Sequence, residues 1–192
     1  MMKLRRIGIS SAALISGIIM MTAACSDARL DAEKEDRDNH LPIPLTTDTV
    51  YQASGYKVEV VDFKGLQPLL SQDDETIQVI NFWATWCVPC VAELPYFQRL
   101  AADYEDVNLT LVSLDFSTKV ESDLLPFIQK NKIENRVVLL NEPDANSWIP
   151  KIDPDWSGAI PATIIYRGKK REFYEQSFTF ETLEKEVKKF YK

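Results

Sequence analysis

Two cysteines with two residues between them give the sequence its clearest chemical capability. They are Cys87 and Cys90, and Pro89 lies between them. Two thiols at this spacing can exchange electrons with another disulfide, form a structural disulfide, or supply half of a zinc site. A zinc site needs further cysteine or histidine ligands, but there is no second pair, and the only histidine, His40, lies far upstream. Redox chemistry is therefore the favoured interpretation.

The residues around this pair must hold it between a strand and a helix. Residues 76–83 form an apolar run with β-branched and aromatic members, which predicts a buried strand. A helical pattern covers residues 89–104, and Pro89 suits its first turn. Because a helix N-terminus favours a thiolate, we predict that Cys87 is the exposed attacking thiol. Cys90, about one turn later, would resolve the mixed disulfide.

The sequence around the cysteines resembles a known family. Residues 82–90, Phe-Trp-Ala-Thr-Trp-Cys-Val-Pro-Cys, resemble the thioredoxin superfamily. Glu93, three residues after the second cysteine, and Pro95 after it resemble the TlpA/ResA-type membrane-anchored thiol–disulfide oxidoreductases. The resemblance extends from about residue 57 to the C-terminus. It implies an α/β thioredoxin fold, in which helices flank a central mixed sheet, with an N-terminal β extension.

The resemblance also implies a role for a carboxylate. Thioredoxin itself has a buried aspartate on its central strand, and here Asn81, which cannot take a proton, occupies that place. Glu93 is one turn past Cys90, and burial there would raise the pKa of its carboxyl group. It would then accept the proton of Cys90. The alternative is an ordinary solvated helix glutamate.

Ile160-Pro161 matches the position of the thioredoxin-family cis-proline. The resemblance implies a cis bond opposite the cysteines, with the Ile160 backbone pairing with a substrate peptide as an added strand. Trp86 precedes the attacking cysteine and is expected to shield one side of the disulfide, whereas Trp83 is expected to pack in the core. We expect neither a metal nor another cofactor.

The remaining elements fit a strand–helix–strand crossover followed by a hairpin and a helix. A capping box is predicted at Thr118. Residues 142–158 are predicted to form a loop, whose two tryptophans, Trp148 and Trp156, could line a substrate surface or pack internally. Strands are predicted over residues 50–63, 107–116, 136–141, 160–166 and 172–174, and helices over 118–132 and 180–191, with a short helix or turn at 66–72 and one helical turn near 146–148.

The N-terminal residues resemble a bacterial lipoprotein signal. A basic start and an apolar stretch over residues 7–21 precede Thr22-Ala23-Ala24, and Cys25 follows. Thr22 stands where such signals usually have Leu. We predict a signal peptide over residues 1–24, lipidation at Cys25, a polar flexible tether over 25–48 and a thioredoxin-like domain over 49–192. Ordinary cleavage that leaves Cys25 free, and an uncleaved anchor, are the alternatives.

These features predict a thiol–disulfide oxidoreductase outside the cytoplasm, in the periplasm or cell envelope, held to the membrane by lipid at Cys25. The formal net charge of −7 argues against nucleic acid as a partner. The resemblance implies that the protein reduces disulfides of exported proteins, such as apocytochrome c, with electrons from a CcdA/DsbD-type membrane protein. A thiol oxidase or isomerase, or a redox-inactive lipoprotein that uses the fold for binding, are the alternative functions.

Overall fold

The computed structural model describes residues 45, 47–72 and 75–191. The predicted signal segment, Cys25 and nearly all of the predicted tether lie outside the described residues. The strands are β1 Thr49–Ala53, β2 Tyr56–Val61, β3 Ile77–Trp83, β4 Val107–Ser113, β5 Arg136–Leu140, β6 Ala162–Arg167 and β7 Lys170–Tyr174. The α-helices are α1 Phe63–Leu66, α2 Val88–Asp103, α3 Leu125–Lys130, α4 Ala145–Ile152 and α5 Phe180–Lys188. None of the described helices is long and apolar enough to span a bilayer.

One mixed sheet runs through the described part of the chain, with seven strands in the order β1-β2-β5-β4-β3-β6-β7. Strands β2, β5, β4 and β3 run parallel to one another, whereas β1 pairs antiparallel with β2, β6 with β3 and β7 with β6. The β4–β5 pair is parallel, so the predicted crossover is present. This is the predicted thioredoxin fold, with the β1–β2 hairpin as its N-terminal extension.

The core lies on both faces of the sheet, because every residue of β3 is buried and successive side chains point to opposite faces. Val79 packs on one face with residues of α2 and α5. Ile80 packs on the other face with residues of α1 and α4. A strand that is apolar on both faces is the signature of a sheet covered by helices on each side, and it explains why β3 was predictable from its apolar run.

The prediction of one strand over residues 50–63 is wrong. The chain turns back at Ser54 and Gly55, which have φ angles of 52° and 84°. Such left-handed backbone suits glycine and a short polar residue. The alternating pattern continues on both sides of this turn, so the pattern alone did not separate β1 from β2.

The predicted capping box at Thr118 is also wrong. A 3-10 turn covers Ser117–Lys119, a π-type turn follows over Val120–Leu124, and no side chain caps α3. Pro126 lies in the first turn of α3, where its missing N–H does not break a helical hydrogen bond. The helix predicted over residues 118–132 is therefore present as successive 3-10, π-type and α-helical segments from Ser117 to Lys130, with the α-helical part beginning at Leu125 beside the proline.

The loop predicted over residues 142–158 contains helix α4, which is eight residues long rather than one turn. Trp148 and Trp156 are 4% and 5% exposed, and their ring centroids lie 5.5 Å apart. Trp156 also packs against Phe82 of β3 at 5.0 Å. Internal packing is therefore the role of both tryptophans. Trp83 is fully buried, as predicted, and packs against the ring of Phe127.

Candidate functional site

The two cysteines lie where β3 gives way to α2 and form a disulfide, with Cα atoms 5.3 Å apart. Cys87 is the N-cap residue of α2, and its Sγ accepts a hydrogen bond from the Cys90 backbone N–H at 3.3 Å. Cys90 is completely buried, and Cys87 is 6% exposed. The predicted exposure of Cys87 therefore holds only relative to Cys90, and Cys87 is the sulfur that an incoming group meets first.

The Ile160–Pro161 peptide bond is cis, as the resemblance implied, and faces the disulfide. The Ile160 carbonyl oxygen lies 3.6 Å from Cys87 Sγ. Pro161 is buried and Ile160 is half-buried. The loop before β6 thus brings backbone polar groups beside the reactive sulfur, where an extended peptide can pair with them.

Glu93, three residues after Cys90 on α2, is buried, with only 1% of its surface exposed. Its Oε2 accepts a hydrogen bond from the Phe178 backbone N–H at 2.8 Å, and its Oε1 accepts one from Asn81 Nδ2 at 2.9 Å. The same amide nitrogen donates to Thr163 Oγ1 at 3.1 Å. The alternative of a solvated helix glutamate is therefore wrong.

Burial raises the pKa of Glu93 to about 7, although the hydrogen bonds from Phe178 and Asn81 act to lower it. Removal from water disfavours the charged carboxylate, and two donors do not fully replace its hydration. A carboxyl group that titrates near neutrality can both accept and release a proton at ordinary pH. Glu93 follows Cys90 by three residues on α2, which is the spacing of side chains that share one face of a helix.

Three exposed apolar side chains, those of Trp86, Val88 and Phe116, lie on the chain segments that border the disulfide and are termed the rim. Trp86 is 59% exposed and Val88 is 80% exposed, and they flank Cys87 in the sequence. Phe116, just beyond β4, is 73% exposed. The sequence predicted Trp86 at the site but gave no reason to place Phe116 there. Exposed large apolar groups beside a reactive sulfur form a surface suited to an apolar segment of a protein substrate.

Asp115 joins the end of β4 to the turn that carries the disulfide. Its carboxylate accepts hydrogen bonds from the Thr85 N–H at 3.1 Å, the Thr85 hydroxyl at 2.6 Å and the Ser113 hydroxyl at 2.8 Å. The parallel register that sets Trp83 beside Ser113 brings these residues together. Asp115 is 6% exposed, so this buried anchor fixes the turn before Cys87 and ties the segment that carries Phe116 to the segment that carries Trp86.

No cluster of three or more His, Cys, Asp and Glu side chains suited to a metal ion occurs among the residues that the structure describes. The site is built instead from one disulfide, one buried carboxyl group and one cis-proline loop. The fold and this disulfide define a thioredoxin-fold protein with a C-x-x-C site.

Comparison with known proteins agrees with this class. Residues 58–124, which include both cysteines, match the family model described as thioredoxin. The chain is 43% identical to the thiol–disulfide oxidoreductase ResA of Oceanobacillus iheyensis, over 28% of this chain and 34% of that protein. It is 34% identical to ResA of Bacillus thuringiensis subsp. konkukian, over 43% of this chain and 40% of that protein.

A crystal structure of a secreted thiol-disulfide isomerase from Corynebacterium glutamicum has the same fold. The two structures superimpose with a TM-score of 0.54 at 14% identity, over 77% of this chain and 83% of that one. The chain spans between 34% and 40% of the length of the two ResA proteins. The predicted resemblance is confirmed: this is a thioredoxin-fold protein whose sequence relatives are ResA-type thiol–disulfide oxidoreductases.

Proposed function

We propose that this protein is a disulfide reductase that acts on exported proteins outside the cytoplasm while tethered to a membrane. One observation carries the proposal: the C-x-x-C disulfide at the start of α2 is followed, three residues after Cys90 on the same helix, by a buried carboxyl group, Glu93, whose pKa is about 7. The disulfide alone is compatible with a structural bridge. A buried carboxyl group that titrates near neutrality is costly to fold, and its position one turn after the second cysteine supplies a use for it.

The reaction begins with both cysteines reduced. The Cys87 thiolate attacks one sulfur of a substrate disulfide, a bond forms between them, and the other substrate sulfur leaves as a thiolate. Cys90 then loses its proton and attacks Cys87 Sγ. The Cys87–Cys90 disulfide forms, and the second substrate thiolate leaves. Two electrons have passed to the substrate, and the structure shows the enzyme in its oxidised form.

The electrostatics of the site assign the sulfurs to these roles. Cys87 Sγ accepts a backbone N–H at the positive end of α2, an environment that stabilises a thiolate. Cys90 is fully buried, so its thiolate has no water to stabilise it. It therefore needs a local base, and ionised Glu93 is the carboxylate that the fold places one turn away.

The substrate class follows from the rim and the cis-proline loop. The exposed Trp86 and Phe116 favour an apolar segment next to the substrate cysteine. The Ile160 backbone offers strand-like pairing to an extended chain. Both features suit an exported protein that is not yet folded, and the resemblance to ResA-type proteins makes apocytochrome c the first candidate.

The location and electron supply rest on the N-terminal sequence and on redox chemistry. Lipidation at Cys25 would hold the domain at the membrane surface, outside the cytoplasm, in the periplasm or cell envelope. An oxidising compartment cannot itself return the enzyme to its dithiol form. A CcdA/DsbD-type membrane protein, which the resemblance implies, would supply the electrons from inside the cell.

The midpoint potential of Cys87–Cys90 tests the direction of the reaction. We expect a value near or below about −250 mV, in the range of reducing thioredoxins. The measurement would use the full-length chain in mild detergent, equilibrated in glutathione or dithiothreitol buffers. A value near about −120 mV would instead indicate a thiol oxidase, and the absence of a reversible couple would favour a redox-inactive binding lipoprotein.

A trapping experiment tests the substrates. Cys90→Ser leaves Cys87 able to attack but removes the resolving thiol, so mixed disulfides with exported proteins should accumulate in cells. Cys87→Ser is the matched control, because it removes the attacking thiol, and it should trap far less. Equal trapping by the two variants would contradict the assigned order of the cysteines.

A further inference from the structure

A second carboxylate lies on the other side of the site, just beyond β7. Glu175 is exposed, and its side chain accepts hydrogen bonds from the Ser157 backbone N–H at 3.2 Å and the Ala159 backbone N–H at 3.1 Å. It also accepts a short hydrogen bond from the Ser157 hydroxyl. Three donors from one short loop thus converge on a single carboxylate that comes from the segment directly after β7.

This loop leads directly into the cis-proline bond. Trp156 Nε1 donates to the Ala159 carbonyl oxygen at 2.8 Å, which fixes the loop from the core side. Gly158 has a φ angle of 90°, and a Cβ there would lie 3.1 Å from Ile149 Cδ1. The loop therefore has a backbone conformation at Gly158 that favours glycine. Glu175 stabilises this conformation from the solvent side of the loop.

Ile160 follows Ala159, and its carbonyl oxygen is the group 3.6 Å from Cys87 Sγ. The Ala159 N–H donates to Glu175 at 3.1 Å and to Ser157 Oγ at 3.3 Å. Glu175 therefore acts on the residue directly before Ile160, whose backbone faces the reactive sulfur. A long substrate that pairs with this backbone depends on its position. A small disulfide that only reaches Cys87 does not.

We propose that Glu175 is a positioning residue that holds the Ile160 loop ready for extended protein substrates, and so gives the site its preference for them over small disulfides. This inference rests on the proposed reductase function. The carboxylate is required because it offers two acceptor oxygens to a set of donors. Glutamine keeps one acceptor but turns an NH2 group towards the remaining donors, so at least one hydrogen bond is lost.

The test compares two substrates of different length in single-turnover stopped-flow measurements. The reduced full-length chain, in mild detergent, is mixed with bis(2-hydroxyethyl) disulfide or with an unstructured apolar peptide of about 15 residues that contains one disulfide. Rates over a range of concentrations give the half-saturating concentration and the maximal rate separately. Glu172→Gln is the matched control, because Glu172 is exposed on β7 and makes none of the described hydrogen bonds to the loop.

For Glu175→Gln we expect the half-saturating concentration of the peptide to rise about five-fold, the effect of one lost hydrogen bond, with the maximal rate changed by less than about two-fold. The ratio of peptide to small-disulfide efficiency should fall by the same factor. Ser157→Ala removes only the hydroxyl and should shift the ratio in the same direction by less. Glu172→Gln should match the wild type.

An unchanged ratio in Glu175→Gln would overturn the proposal, as would an equal loss with both substrates or a loss confined to the maximal rate. If the wild-type protein reduced neither disulfide, the reductase function itself would fail and this inference with it. If the wild-type protein reduced these disulfides and Glu175→Gln behaved like it, only the proposed role of Glu175 would be ruled out. The two failures are thus distinguishable.

Discussion

Two segments border the disulfide, and a carboxylate anchors each of them. The turn before Cys87 is the sulfur wall, and the loop before Pro161 is the cis-proline wall. Asp115 anchors the turn before the disulfide and is 6% exposed. Glu175 anchors the loop before the cis-proline and is exposed to solvent. A buried anchor resists change because its donors have no water to replace it, whereas an exposed anchor competes with water at all times. The sulfur wall is therefore held firmly, and the cis-proline wall is held more weakly.

Removing each anchor in turn should give the largest difference between the two walls. Asp115→Ala leaves the Thr85 N–H and two hydroxyl groups without their buried acceptor, and we expect it to lower the free energy of unfolding by about 3 kcal/mol. Glu175→Ala should have a much smaller effect, because water can replace its hydrogen bonds. Urea denaturation of the oxidised protein, followed by circular dichroism, measures both. A larger loss for Glu175→Ala would reverse the comparison.

The pH dependence of stability gives a second contrast, because the pKa values of two carboxyl groups of the site, Glu93 and Glu175, shift in opposite directions. The folded pKa of Glu93 is raised from 4.5 to about 7. Its contribution to stability is therefore complete below pH 4.5 and is lost as the pH rises through about 7. Hydrogen bonds from Ser157 lower the pKa of Glu175. The Glu175 contribution is therefore present above its unfolded pKa and is lost as the pH falls through its folded value.

Glu93→Gln should remove the first of these effects. Between pH 5 and pH 8 the wild type should lose about 2 kcal/mol of unfolding free energy relative to the variant. Asn81 Oδ1 has no hydrogen-bond partner among the described residues, so the amide can turn and accept from the new glutamine NH2. Glu134→Gln, at an exposed loop position, is the control. Parallel pH curves for the wild type and Glu93→Gln would contradict the raised pKa.

Phe116 gives the smallest expected effect and tests whether the sulfur wall also selects substrates. Phe116→Ala should lower the efficiency of peptide reduction about three-fold, because an apolar contact is lost, and leave the unfolding midpoint unchanged. Val50→Ala is the matched control, since Val50 is an exposed apolar residue on β1. The peptide assay used for Glu175 measures both variants. A full wild-type rate in Phe116→Ala would assign substrate selection to the cis-proline wall alone.

Local patterns in the sequence were sufficient for the parts of the site that are close in the chain. The strand before Cys87, the helix after it and the spacing of Glu93 all follow from residues within one stretch. The resemblance supplied Pro161, which no spacing rule could place opposite the disulfide. The hairpin of β1 and β2 was missed because the alternation continues on both sides of Ser54 and Gly55.

The anchors could not be predicted, because they join residues that are distant in the sequence. Asp115 reaches Thr85 thirty positions away, and Glu175 reaches Ser157 eighteen positions away. Nothing in the local pattern of an aspartate after a strand, or of a glutamate after a hairpin, identifies its partner. The register of the sheet decides which chain ends meet, and that register depends on packing across the whole core. For the same reason, the sequence did not predict that Phe116 would be an exposed residue directly after this anchor.

The way in which β1 joins the sheet has a mechanical consequence. Thr49 pairs with Val60 and Ala53 pairs with Tyr56, so the chain enters this hairpin at its open end. Tension applied from the N-terminal side would load the hydrogen bonds of β1 one after another, beginning with that of Asp48 to the Val60 carbonyl. An edge strand loaded in this way separates at low force. A pull on the N-terminal chain would therefore detach β1 first, while β3, which is bonded on both sides by β4 and β6, continues to carry the cysteines.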